Sequence, residues 1–218
     1  MIRIPRALAL ALPLACAVLA VPMVAQAPAG VPGQPDLSRL TAGTYTADPT
    51  HSLVSWRINH LGFNDNFGLA GDVSGSLTLD PANLSASKVS ATIPLAKLVT
   101  ANPDITAELL KAGPDGGKPH FFGANPADAT FVSTGVVPGT DGTSAVINGN
   151  LTLNGITHPV ALKARFTGAG TNMFRSSKRT IGFMAETTIL RSDYGITFLL
   201  PIVGDEVALT ISAAFENS

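Results

Sequence analysis

From Thr44 onward apolar and polar residues alternate with a period of two, and no other feature of the chain restricts its fold as much. The longest run is Phe67 to Asp80. Phe67, Leu69, Gly71, Val73, Gly75, Leu77 and Leu79 share one parity; Gly68, Ala70, Asp72, Ser74, Ser76, Thr78 and Asp80 share the other. Successive side chains of a strand point to opposite faces, so this run predicts one half-buried strand. The same pattern recurs at Val54, Trp56 and Ile58, and again at Val89, Ala91, Ile93 and Leu95. It continues through Ala145, Ile147, Leu151 and Leu153, then Val160, Leu162, Ala164 and Phe166. Asn154-Gly155 between those two runs predicts a type I′ hairpin, because both residues tolerate positive φ. Ile181, Phe183, Ala185 and Ile189, and finally Val207 to Phe215, complete the series.

One helix interrupts the strands. Asn102 suits its N-cap, Pro103 and Asp104 its first turn, and Gly113-Pro114 its stop. So short a helix cannot cover the apolar faces of so many strands, which must then bury them against one another. Sequential strands on short turns favour an all-β, antiparallel, up-and-down barrel of about eight strands, and closure removes exposed edges. The inward faces mix Phe with Gly, Ala and Val. Alternation is equally compatible with a packed core and with an open interior.

The start of the chain reads differently. Arg3 and Arg6 precede an apolar run from Ala7 to Leu19, and small residues follow at Ala25 and Ala27. This is the pattern of a signal peptide over residues 1–27, cut near Ala27 or Ala29. The single cysteine, Cys16, lies inside it, in a poor match to a lipoprotein box, so the mature chain is expected to hold no disulfide or Cys-ligated metal. Residues 28–43, with Pro28, Gly30, Pro32, Gly33 and Pro35, read as a linker, and 44–218 as the barrel. Charged residues make up only 13% of the chain and the net charge is -1, with Lys and Arg scattered. That argues against nucleic acid, whose phosphates need clustered cations. After signal removal no membrane-spanning segment is expected.

Several segments, in order, resemble one family. Tyr45-x-x-Asp48-Pro49-x-His51-Ser52 and His60-Leu61-Gly62 are similar to the opening of the YceI-like family. Phe67-Gly68 with Gly71-x-x-x-Gly75-x-Leu77, then Phe121-Phe122 with Pro126, Phe131 and Ser133, follow its next pieces. Gly149 to Val160 resembles its G-x-LT-x-x-G-V-T-x-P-V hairpin, and Arg191 to Gly195 and Val203 to Val207 its closing segments. The resemblance implies a periplasmic, lipocalin-like barrel around an apolar tunnel for a polyisoprenoid or similar long chain. It departs at Leu98-Val99-Thr100 and Glu108-Leu109-Leu110 and in a Gly/Pro-rich insert from Gly113 to Pro119, so the ligand's head group is the part least transferable.

On that reading the tunnel lining comprises Val54, Trp56 and Ile58, then Phe63, Phe67, Leu69 and Val73. It continues through Phe121, Phe122, Phe131, Phe183, Ile189, Phe198 and Leu209. His60 at a strand end, and Arg191 with Asp193, which share parity and could pair, are candidates for a polar mouth or head-group clamp. No cofactor or metal is expected: His51, His60, His120 and His158 show no ligand spacing, and His51 and His60 stand roughly 30 Å apart if they end one strand. Nor is there a G-x-S-x-G elbow, and Asp48, His51 and Ser52 are too close in sequence to form a triad on one strand. The expected function is binding or carriage of a long-chain isoprenoid or fatty-acyl lipid, without catalysis. The alternatives are a lipid-modifying enzyme using the barrel as a chamber, and a packed barrel acting through a protein partner.

Overall fold

The structure, a computed structural model, describes residues 30–174 and 178–217, and the compact unit treated below begins at Val31. The expected signal peptide, its cleavage positions and Cys16 lie outside the described residues.

Eleven strands form one antiparallel sheet: β1 (Gly43–Ala47), β2 (Leu53–His60), β3 (Asn64–Ala70), β4 (Ser74–Leu79), β5 (Lys88–Ile93), β6 (Leu98–Thr100), β7 (Ala129–Pro138), β8 (Ser144–Leu153), β9 (Ile156–Thr171), β10 (Arg179–Leu190) and β11 (Val203–Asn217). They amount to eight staves. The first three are each broken in two: β1 continues as β2, β3 as β4, and β5 as β6. The last stave, β11, pairs with β1 through its lower half and with β2 through its upper half, so the ring closes. The chain runs up and down around it: apart from the closing pairs made by β11, each stave pairs with the staves before and after it in the chain. Asn154 and Gly155 both take positive φ between β8 and β9, as their sequence predicts.

The three breaks sit side by side. Val73 donates its amide to the Ser52 carbonyl, and Lys97 meets Asp72 across the outside. Asp72 adopts φ 55, a left-handed turn that shifts the register of the stave by one residue. Phe67 to Asp80 is therefore not one strand. Below the break the odd residues Leu77 and Leu79 are buried, as read from the sequence. Above it the even residues Gly68 and Ala70 are buried, while Phe67 and Leu69 are 63% and 43% exposed.

Apolar packing seals the lower end. Tyr45, Leu77, Leu79, Phe166, Ile181 and Phe215 form one core cluster. Phe183 meets Phe166 and Phe215 with ring centroids 6.0 and 6.2 Å apart, distances typical of favourable edge and tilted contacts. The stretch read as a linker is attached here. Gln34 exchanges two backbone hydrogen bonds with Ala169, and Leu40 packs on the cluster. This part of the proline-rich segment is thus held against β9 at Gln34, and Arg39 reaches the Ala169 carbonyl as well.

The upper end has another construction. Among the described residues no second strand pairs with β6 beyond β3, and helix α1 (Pro103–Leu109) covers the gap, capped by the Asn102 side chain on the Asp104 amide. The turn between β2 and β3, the segment from Arg191 to Val203 and the tip of the β8–β9 hairpin complete that end.

Candidate functional site

Between the two ends lies a cavity of about 840 Å³, lined almost entirely by carbon. It falls within the roughly 300–1,000 Å³ of small-molecule sites and far exceeds ordinary packing voids.

Two devices hold the centre open. At mid-height the inward positions are small: Ala164 and Ala185 are cross-strand neighbours on β9 and β10, and Ala213 stands opposite Phe183. The larger aromatics lie back against the wall where a glycine admits them. The Trp56 indole crosses Gly68 so closely that a β-carbon there would stand 2.3 Å from its ring. Phe131 covers Gly149 in the same way, at 2.3 Å. Glycine in a strand interior marks such a close approach. The aromatics form walls and leave the centre empty.

Most of the residues expected to line the tunnel do so. Val54, Trp56 and Ile58 of β2 face it, with Phe131, Phe183, Ile189 and Leu209 on later staves. Val73 reaches it at the break, and Phe121, Phe122 and Phe198 reach it from the upper loops. Three do not. Phe67 and Leu69 point outward because of the register shift at Asp72. Phe63 sits on the β2–β3 turn, 87% exposed. Ala164 and Ala185, which alternation puts on inner faces, do border the space, whereas Ile105 and Leu109, which α1 turns inward, lie outside the expected lining.

The polar candidates separate similarly. His60 does border the upper end of the cavity, beside Asn66, Asp104 and Glu108. Asp104 and Glu108 come from α1, whose place over the gap in the sheet leaves no local mark in the sequence. Glu108 is also 3.7 Å from His120, which stacks on Phe198 with centroids 3.7 Å apart.

Arg191 and Asp193 do not form the expected clamp. β10 stops at Leu190 and residues 191–194 make a 3₁₀ turn, so strand parity no longer applies. Arg191 is buried. Its Nε donates to Gly204 O at 2.8 Å, one terminal nitrogen to Ile196 O and Phe198 O at 2.9 Å each, and the other to Val203 O at 2.9 Å. Burial pushes this guanidinium below the usual arginine value, and the nearby Asp205 charge works against that. With four donors committed to carbonyls, Arg191 fixes the loop above the cavity. Asp193 is exposed on the turn. Asp205 accepts the Ser192 amide and hydroxyl at 2.9 and 2.7 Å, locking the turn to the start of β11. Burial, with the Asp193 charge, pushes the Tyr194 hydroxyl above its ordinary range.

His51 Nδ1 lies 2.7 Å from Asp48, but the Ser52 hydroxyl is engaged with the Ala214 backbone instead. Among the described residues no three His, Cys, Asp or Glu side chains are grouped as metal ligands would be, and no helix is long and apolar enough to cross a membrane.

Fold and cavity together define a ligand-sized apolar chamber inside an up-and-down β-barrel, floored by aromatics and bordered by polar groups at one end. The YceI-like domain matches residues 45–215, and the chain belongs to that family. A UPF0312 protein of Pseudomonas paraeruginosa is 37% identical over 162 residues, covering 74% of this chain and 80% of its own length. Protein YceI of Salmonella arizonae is 38% identical over 163 residues, with the same coverage. Among solved structures, Burkholderia cenocepacia BcnA has a TM-score of 0.63 at 24% identity, covering 77% of this chain and 98% of its own. A polyisoprenoid binding domain from Saccharophagus degradans, implicated in plant cell wall breakdown, shares the fold with a TM-score of 0.55 at 13% identity, covering 80% and 98%.

Proposed function

We propose that the protein binds one long apolar lipid, a polyisoprenoid or similar chain, lengthwise inside the barrel, without acting on it chemically. The observation that carries this reading is the carbon-lined cavity of about 840 Å³. Water in such a space finds too few polar partners to be held, so an apolar chain replaces it at little cost. The Saccharophagus domain, described as polyisoprenoid binding, supports a chain of that class for a shared fold. Catalysis is disfavoured because the carboxylates and histidine bordering the cavity, Asp104, Glu108 and His60, stand at its upper end, where a head group would lie.

At about 0.8 kcal/mol per buried CH₂, a chain of about 30 carbons gives about 24 kcal/mol, above the ~18–21 kcal/mol reached by the tightest complexes. Ordering the chain must offset much of it, and selectivity then rests on cavity length and the upper polar groups. The same reading places the protein in the periplasm, with the segment ending near Ala27 or Ala29 removed during export.

Trp56 supplies the test, since it is the one tryptophan of the chain and it lines the cavity. Titrating delipidated protein with prenols of increasing length is expected to change its emission saturably, with affinity rising until the cavity is filled. Fluorescence indifferent to every prenol and fatty acid would defeat the proposal.

A further inference from the structure

We propose that the upper rim of the barrel is a membrane-docking surface, on which the protein rests against an uncharged, zwitterionic bilayer while a lipid passes through the mouth. This rests on the lipid-binding reading above and adds where the lipid is exchanged.

Two neighbouring segments build the rim. In the β2–β3 turn, Leu61 and Gly62 take φ 59 and 74, Asn59 accepts the Gly62 amide, and Phe63 is thrust out 87% exposed. In the loop before β11, Leu199 takes φ 60, and Leu199 and Ile202 are 45% and 57% exposed. The segments are joined, since Leu61 N donates to Ile202 O at 3.1 Å. Leucine at positive φ is strained, and such strain persists only where the surroundings impose it. At Leu199 Arg191 imposes it from below, through the flanking carbonyls of Ile196, Phe198 and Val203.

Single exposed apolar residues are ordinary, but four adjoining ones at the opening of an apolar cavity are not. Leu199 belongs to both surfaces: it is half-exposed on the rim and also lines the cavity. The apolar surface is therefore continuous from the outside to the interior, and a chain leaving a bilayer there need not cross water. The charges nearby favour a zwitterionic surface over an anionic one. Arg57 is paired with Asp65 at 2.7 Å, Lys118 stands singly on the Gly195 carbonyl at 3.1 Å, and the exposed Asp193 and Glu206 on this end are acidic, so the cations do not cluster. Attachment to anionic lipid would need clustered Lys and Arg beside the apolar tip.

Flotation with phosphatidylcholine vesicles tests the proposal, with farnesol uptake followed by Trp56 emission as the control for an intact cavity. The unaltered protein is expected to float with the vesicles, with little change on adding salt or phosphatidylglycerol. Phe63→Glu and Ile202→Glu should each lower the vesicle partition coefficient about tenfold or more, since each removes one inserted apolar side chain. Both variants should take up farnesol as before. Protein that takes up farnesol yet stays in the aqueous fraction would overturn the docking proposal and leave the lipid-binding reading standing. Protein that neither floats nor takes up farnesol would overturn both. If Phe63→Glu instead splits a dimer on gel filtration and leaves flotation unchanged, the rim is an interface between copies and the proposal fails.

Discussion

Replacing Ala185 with tryptophan is expected to abolish retention of long-chain lipid while leaving the barrel folded. Ala185 faces inward at mid-height on β10, opposite Ala164 on one side and Ile211 on the other. An indole there would project across the chamber at mid-height, where the neighbouring side chains are small, and divide the upper part from the aromatic floor at Phe183 and Phe215. In a packed interior such a substitution costs about 1–3 kcal/mol or more, because neighbours must leave their rotamers. In a chamber of about 840 Å³ it meets empty space and gains dispersion contacts. Thermal unfolding of the delipidated variant should therefore match or exceed that of the parent, while titration with long prenols goes flat. A large fall in melting temperature would indicate that the space is already filled.

Arg191→Met is expected to cost about 4 kcal/mol of stability, because several half-buried carbonyls lose their donors together. The loss should be present without lipid. It should be accompanied by protease cleavage between Ile196 and Ile202, the segment that the guanidinium holds. Arg191→Lys should recover little, since one ammonium cannot reach four carbonyls arranged around a planar fork. A head-group clamp would behave otherwise: stability of the empty protein would be untouched and only affinity for charged lipids would fall.

The barrel was legible in the sequence because most staves obey simple alternation. β2, β9, β10 and β11 carry large apolar side chains on the inner face and polar ones outside, so parity alone orients Val54, Trp56, Phe183 and Leu209. β3 inverts the rule. Its inner face holds Gly68 and Ala70, kept small because Trp56 lies across Gly68, and its outer face holds Phe67 and Leu69. Hydrophobicity there points the wrong way. The correcting signal, a left-handed Asp72 between two alternating runs, has no strong sequence signature. Arg191 departs from its expected place for a related reason: strand parity holds only as far as the strand's end at Leu190. The following Tyr194-Gly195 could have marked that end, because Gly195 takes the left-handed conformation that closes the turn. The mouth was the least legible part. Asp104 and Glu108 reach it only because α1 fills the gap beside β6, a tertiary placement that local pattern does not encode.

The family segments also find a physical explanation. Arg191–Gly195 and Val203–Val207, distant in the chain, are the two halves of one lock, joined by Arg191 to the Gly204 and Val203 carbonyls and by Ser192 to Asp205. Asn154 ties the β8–β9 tip to the same place through the Tyr194 carbonyl at 3.0 Å. These polar residues, which a functional reading would assign to chemistry, hold one end of the barrel in shape.

A crystal structure of the protein loaded with a long prenol tests the central claim most directly. The expected result is one continuous chain of density running from beside His60 and Phe198 down to Phe183 and Phe215, with the barrel backbone unmoved. Side chains interlocked through the middle of the barrel, with the prenol absent or held only on the outer surface, would contradict it.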